Sequence, residues 1–313
     1  MDSLTPITSG ALAAAHPVNG ELLADWVAYL DARDKTVETY SRDVKQFLIY
    51  LKEENIQQPT REDVIAWREK LRKEGRKPTT IQNYITAVRL FFKWTQQRGI
   101  YPNIADHVKG ASIDREHKKD YMTGRQVKLV LDSIDKETDI GLRDYAILAL
   151  MVTCGLRDIE VSRANIEDIR PAGEFTALYI QGKGRDERSE FVKLTMPIEK
   201  AIRAYLQTRP DAQPDAPLFV SVSNRSAGER MTTRSISRIV KTRLRQAGYN
   251  SDRLTAHSLR HTAVTLSLLG GNSLQDVQQF ARHANISTTQ IYAHNLDRAK
   301  SKCEESIASA IFK

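Results

Sequence analysis

Two histidines, an arginine and a tyrosine fall within one stretch, 256–295 (AHSLRHTAVTLSLLGGNSLQDVQQFARHANISTTQIYAHN). His257 and Arg260 stand three apart, which on a helix is one face, so an imidazole and a guanidinium can converge on the same object. His283 follows, and Tyr292 stands nine residues beyond it. Upstream, Arg157 comes just after Gly155 and an apolar run, and Lys183 sits in a glycine-flanked basic turn, GKGRDERS. Such a set suits an anion held beside a weak hydroxyl nucleophile. In-line attack on a phosphodiester spreads charge over its oxygens, and two guanidiniums can clamp the non-bridging ones. A tyrosine hydroxyl, with a pKa of about 10, needs a neighbouring base or a cationic field to attack near neutral pH. An alkoxide leaving group needs a proton, which an ammonium on a hairpin tip can deliver. With the cations built in, this chemistry calls for no metal and no cofactor.

Each of these residues also has an ordinary structural reading. Arg157 can be an ion-pair partner of Glu160, and Lys183 a solvated charge on a turn. His257 can be a helix-start histidine, Arg260 and His283 surface or capping groups, and Tyr292 a half-buried aromatic. Only their joint order and spacing favour a site. Other chemistries lack their residues: Gly182-Lys183-Gly184 has no phosphate-loop spacing, and neither HExxH nor a convergent carboxylate set occurs. Cys154 and Cys303, the two cysteines, have no metal-ligand spacing.

The elements that must position the site are mostly helical. Residues 1–20 read as a flexible tail. Between 21 and 105, apolar residues recur at helical spacing in four segments. Leu22, Leu23 and Trp26 mark the first. Thr36 can cap the second, with Val44, Phe47 and Leu51 inside. Thr60 with Asp63 resembles a capping box for the third, with Val64, Trp67 and Leu71. The fourth, 79–98, carries Ile81, Ile85, Val88, Leu90, Phe91 and Trp94 and closes at Gly99. Residues 106–120 (DHVKGASIDREHKKD) lack an apolar stripe and read as a linker or a solvated loop. From 121 to 313 a second domain is expected. It has a helix capped by Thr123, an apolar helix over 141–154 and strands over 177–181 and 190–194 joined by the basic turn. A helix over 197–208, a strand over 218–222 and a helix over 232–247 follow. Next comes the helix bearing His257 and Arg260, with Leu259, Ala263, Leu266 and Leu269 as its anchors. Ser273 caps another, and a tail segment over 296–312 carries Ile307, Ile311 and Phe312.

The chain has 47 basic and 39 acidic residues, a net +8, which favours a polyanionic partner without excluding an ordinary basic enzyme. At 313 residues and 41% apolar content it has room for about two globular domains. Its longest apolar run falls well below the roughly 18 residues of a membrane span, so a cytoplasmic protein is expected.

The chain resembles the tyrosine recombinases, the phage-integrase and Xer-like site-specific DNA recombinases. The resemblance rests on TCGLRDIEVSRANIEDI around Arg157, IQGKGRDER around Lys183, HSLRHTAVT, and ARHANISTTQIYAHN, in the family's order. It implies a mainly α, two-domain protein with a four-helix, SAM-like core-binding domain. A mixed α+β catalytic domain with a small antiparallel sheet would follow. By the resemblance, Arg157 and Arg260 grip the scissile phosphate, and Lys183 protonates the 5′-oxygen. His257 acts in proton transfer with the tyrosine, His283 donates a hydrogen bond, and Tyr292 forms a 3′-phosphotyrosyl link leading to a Holliday junction. Glu160 orients the site. Arg282 departs from the glycine that relatives often have before the histidine, and stands as a DNA-contact candidate or a solvent-facing charge. Further DNA contacts are expected at helix starts, from Arg76, Lys77, Thr79 and Thr80 and from Thr233 and Arg234, with basic solvated turns as the alternative. The partners implied are double-stranded DNA sites and three further copies of the chain in a tetramer, the C-terminal segment docking in trans. An accessory DNA-bending or directionality protein is also admitted. A mobile-element integrase or transposase and a Xer-type resolvase both fit. So do a catalytically silent DNA binder of the same fold and a type IB topoisomerase.

Overall fold

The apolar stripes read above close two separate cores in the computed structural model, which describes residues 18–112, 120–182, 187–300 and 303–312. The chain divides into Met1–Arg115 and Glu116–Lys313. The tail 1–17, residues 113–119 of the linker and residues 183–186 between the expected strands, Lys183 included, lie outside the described residues.

The first unit contains α1 (Gly20–Tyr29), α2 (Asp34–Glu53), α3 (Arg61–Lys73) and α4 (Pro78–Gln97). Their inward faces meet in an aromatic cluster. Trp26 stands edge-on to Phe91 at 5.4 Å, and Phe47 lies 5.0 Å from Trp67 and 6.0 Å from Phe92. The capping box at α3 forms, with the Thr60 amide donating to Asp63 Oδ2 at 2.7 Å. Helix α2 starts two residues ahead of the expected Thr36 cap, because Asp34 already serves the positive helix end. Leu90 faces outward rather than into the core.

The second unit is built on α6. After α5 (Gly124–Asp132), whose Thr123 and Gln126 cap each other, α6 (Asp139–Cys154) runs buried on nearly every side. Next come α7 (Asp158–Arg163) and strands β1 (Ile169–Ala172), β2 (Phe175–Ile180) and β3 (Glu190–Lys193). The strands form one antiparallel sheet in the order β1-β2-β3. Helices α8 (Met196–Leu206), α9 (Thr233–Gln246), α10 (Ala256–Leu269), α11 (Leu274–Ala281), α12 (Ile286–Lys300) and α13 (Cys303–Ile311) follow. Helices α8, α9 and α10 pack on α6. Its polar start is tied in by Asp144, which receives Arg143 at 2.7 Å and Arg243 at 2.6 Å.

Three differences from the sequence pattern have physical reasons. Strand β1 contains Pro171, which breaks strand patterning in the interior of a sheet but is tolerated here because β1 is an edge strand. The expected strand over 218–222 makes only isolated bridges, Asn165 with Pro217 and Val220 with Arg230. Leu218, Phe219 and Val220 are all buried in succession, so the run fills core space instead of alternating between two faces. The tail does not begin a new helix at 296: α12 runs through to Lys300 with Tyr292 near its middle, and α13 follows. Among the described residues no helix is long and apolar enough to cross a membrane.

Candidate active site

The turn at the end of α6 delivers the first arginine. Gly155 has φ 60°, and a Cβ there would meet the Phe280 ring at 3.1 Å, so the position needs glycine on both counts. Leu156 is buried and pins the turn, and Arg157 becomes the N-cap of α7. The Arg157 amide donates to Glu160 Oε2 at 2.8 Å, and its Nη1 donates to Glu160 Oε1 at 2.7 Å. The ion pair named as Arg157's structural reading is therefore present, and it orients the arginine while leaving its side chain 27% exposed.

The second arginine comes from α10. Arg260 is 2% exposed; its Nη1 donates to the Gly155 carbonyl at 2.5 Å and its Nη2 to the Ala281 carbonyl. Burial, then the like charges of Arg157 and Arg282, pull this guanidinium down to about 9, which leaves it charged at neutral pH.

The third arginine is a correction. Arg282, expected at DNA or in solvent, turns inward. Its Nη2 donates to Glu160 Oε2 at 3.0 Å and to the Gly155 carbonyl at 3.1 Å, and its Nη1 to the Phe280 carbonyl at 2.9 Å. Its side chain is 7% exposed. The reason is Glu160, whose buried carboxylate has room for two guanidiniums. Burial pushes the Glu160 carboxyl up, but Arg282, the Arg157 amide and the Arg157 side chain outweigh it and hold it below the usual range. Three guanidiniums against one carboxylate leave the cluster net positive, as an anion site requires.

His283 and Tyr292 complete it. His283 Nδ1 lies 3.0 Å from the Thr289 hydroxyl. Burial first, then Arg260, Arg157 and Arg282, pull the imidazole down to about 4, so it is neutral at pH 7. This bond can run in either direction; in the tautomer where Thr289 donates to Nδ1, the His283 proton sits on Nε2. The His283 and Tyr292 rings stack at 6.3 Å. Tyr292 is 8% exposed and pushed up to about 12 by burial, against the opposing pull of Arg260 and Arg157. Its hydroxyl hydrogen-bonds to His261 Nδ1.

The structure thus brings together Arg157, Arg260, His283 and Tyr292, and His257, exposed at the start of α10 with its ring 4.4 Å from that of His261, is near enough to act on His283 as well. Lys183 lies outside the described residues, but the foot of its hairpin, Ser189–Phe191, flanks His283 and Gln279 across a cleft of about 620 Å³. Arg163 holds the other foot, donating to the Gly182 carbonyl at 3.3 Å. His261 and Thr289 were not among the residues expected from the sequence. Both stood within reach of the helical pattern, His261 four after His257 and Thr289 three before Tyr292. Of the helix-start candidates, Lys77 is the N-cap of α4, with Thr79 and Thr80 in its first turn and Arg76 half exposed beside Glu74. Thr233 and the exposed Arg234 open α9, capped by Thr232. Among the described residues no group of three or more His, Cys, Asp or Glu is arranged to hold a metal ion.

Arg282 sits at φ 53°, a left-handed conformation that favours glycine. Arg282→Ala keeps that strain and strips Glu160 of a partner, so it is expected to cost about 3 kcal/mol. Arg282→Gly relieves the strain and should cost about 1 kcal/mol less. Urea denaturation of the two variants checks the order, which is the reverse of the usual Ala-over-Gly preference.

A model of the phage integrase family matches residues 120–299, and one of the phage integrase N-terminal SAM-like domain matches residues 23–99. A tyrosine recombinase XerC of Pelobacter propionicus is 33% identical over 270 residues, 84% of this chain and 86% of its own. A tyrosine recombinase XerA of Pyrococcus furiosus is 29% identical, over 88% and 90%. In fold, the chain is similar to XerH site-specific recombinase bound to palindromic difH substrate, with a TM-score of 0.71 at 21% identity over 86% of this chain and 80% of that one. The Tn1549 transposon integrase in complex with transposon right end DNA gives 0.69 at 18% identity over 91% and 98%. On the family model that matches residues 120–299 and the relative 33% identical over 84% of its length, the chain belongs to the phage integrase family of tyrosine recombinases, enzymes that cleave and rejoin DNA at specific sites.

Proposed function

We propose that this chain recombines two double-stranded DNA sites through a 3′-phosphotyrosyl link at Tyr292, passing through a Holliday junction and drawing on neither a metal nor ATP. The observation that carries the reading is the convergence of Arg157, Arg260 and His283 on the side of Tyr292, around a buried and net-positive cluster. Arg157 and Arg260 hold the non-bridging oxygens, with Arg260 exchanging its carbonyl partners for phosphate. Neutral His283 donates from Nε2. Lys183, on a hairpin whose foot borders the cleft, gives the leaving 5′-oxygen its proton. The bond energy stays in the phosphotyrosyl link until a 5′-hydroxyl reclaims it.

Residues 21–105 serve as the core-binding domain, 106–120 as the linker and 121–313 as the catalytic domain. Helix N-termini at Lys77–Thr80 and Thr233–Arg234 offer amides and cations to the DNA backbone. Relatives named as Xer recombinases, of similar length, favour a Xer-like layout acting in the cytoplasm; a mobile-element integrase shares that layout.

Incubation with duplex carrying 5′-bridging phosphorothiolates, followed by denaturing isolation, is expected to give covalent adducts with the wild type. Tyr292→Phe should bind DNA and give none; adducts from that variant contradict the nucleophile. Helix α13 leaves Ile307, Ile311 and Phe312 58%, 65% and 84% exposed, which supports docking on a neighbouring copy within a tetramer. Removing residues 301–313 should then abolish cooperative assembly on DNA in a gel-shift titration while single-site binding persists. Assembly that survives the deletion refutes the docking.

A further inference from the structure

Arg42 and Asp43 on α2 make the same contact as Arg143 and Asp144 on α6. In each, Nε and Nη2 of the arginine donate to one oxygen of the neighbouring carboxylate, at 3.1 and 2.9 Å in α2 and at 3.0 and 2.7 Å in α6. The surroundings differ. In α6 both side chains are buried, Arg143 Nη1 donates to the Val220 carbonyl, and Asp144 takes a second guanidinium from Arg243. That pair ties elements together. In α2, Asp43 is 1% exposed while the Arg42 side chain is 64% exposed. The second oxygen of Asp43 is buried and meets no donor among the described residues. A buried carboxylate left half satisfied lowers stability, and an uncharged side chain of its size would pack there with less penalty. Stability therefore does not account for Asp43. What the carboxylate supplies is a guanidinium held in one orientation at the surface.

We propose that Arg42 is a specificity-determining residue that reads a guanine in the major groove, with Asp43 as its positioning residue. The inference rests on the first unit binding DNA. With Nε and one edge of Nη2 turned to the carboxylate, the N–H groups left are those of Nη1 and the far edge of Nη2, the two parallel donors at the tip of the guanidinium. Guanine presents two acceptors, O6 and N7, on its major-groove edge, and no other base presents that pair. The ion pair is close to neutral, so it adds little to the sequence-independent attraction for phosphates, and its directed donors serve discrimination. Glu38, the other acid within reach of Arg42, is taken by Lys35 at 2.6 Å. Tyr84 on α4 is also within electrostatic reach, its ring stacked on Trp67 at 5.7 Å. It stands one turn past Thr80, close to the helix start where Lys77 and Thr79 are exposed. A candidate phosphate site and a base-reading group therefore stand side by side, the combination that recognition in a groove needs.

Selection of the whole chain on a randomised duplex library, with the bound DNA sequenced, tests this. The wild type is expected to enrich a guanine that Arg42→Gln no longer enriches. Discrimination against the other bases at that position should fall about 10- to 100-fold, with preferences elsewhere unchanged. Asp43→Asn keeps the shape of the side chain but releases the arginine and uncovers its charge. The same guanine preference should weaken while affinity for random duplex rises, because the pair is no longer neutral. A purely structural Asp43 would instead lower the melting temperature and leave the base preference as it was, which overturns the positioning role. Thermal melting of Arg42→Gln, altered only at an exposed side chain, shows that it is folded. Wild-type preferences in Arg42→Gln overturn the inference. So does a loss of affinity spread evenly over all sequences with a shallower salt dependence, which makes Arg42 a phosphate contact. If the wild type itself binds duplex and enriches no sequence, site recognition by the chain fails, and the base-reading role goes with it.

Discussion

The carboxylate of Glu160, fully shielded from water, accepts the guanidinium of Arg157 at Oε1 and both the Arg157 amide and the guanidinium of Arg282 at Oε2, and the site is arranged around it. A lone buried carboxylate would take up a proton; the surrounding donors keep this one ionised. Its charge in turn makes it tolerable to pack several guanidiniums into one small volume. Removing one partner from such a buried set typically costs about 3–5 kcal/mol. That dependence runs in both directions: the arginines need the carboxylate, and the carboxylate needs the arginines. The result is a buried, net-positive cluster whose geometry is set by the protein's own donors and acceptors.

The fold supplies the fixed points. Helix α6, buried nearly all round, cannot shift without opening the core, and it ends in the glycine turn that orients Arg157. The Gly155 carbonyl then receives both Arg260 and Arg282, joining the end of α6 to α10 and to the end of α11. Arg282 holds a left-handed backbone that a glycine would adopt more cheaply, and the three acceptors around its guanidinium explain why it persists there. Helix α12 completes the arrangement by carrying Thr289 and Tyr292 on one face. One hydrogen-bonds to His283 and the other to His261.

Much of this was legible in the sequence, and the boundary is physical. Helices with apolar residues every three or four positions, the capping pair Thr60 with Asp63 and the cap Thr123 announce themselves locally. The residues Arg157, Arg260, His283 and Tyr292 were identifiable because their types and order are restrictive. What escaped depends on which way a side chain turns. Arg282 looks like a surface charge until Glu160 is seen behind it. His261 looks like a second helix histidine until α12 brings the tyrosine against it. Pro171 masked a strand because nothing local says that the strand lies at a sheet edge. Leu218–Val220 mimicked a strand because a run buried on all sides has no period to read.

With its carboxylate buried and bonded to Arg157 and Arg282, Glu160 is expected to act by holding the arginines in place rather than by touching DNA. Glu160→Gln preserves the shape of the side chain but removes its charge and turns an amide toward one guanidinium. The most direct measurement is single-turnover adduct formation by this variant on its DNA site, with DNA affinity measured alongside. A drop of about 100-fold in rate, the scale expected when catalytic groups shift by about 1 Å, with unchanged affinity, is the predicted result. A wild-type rate would contradict the claim, since it would show that the arginines find their places without the buried charge.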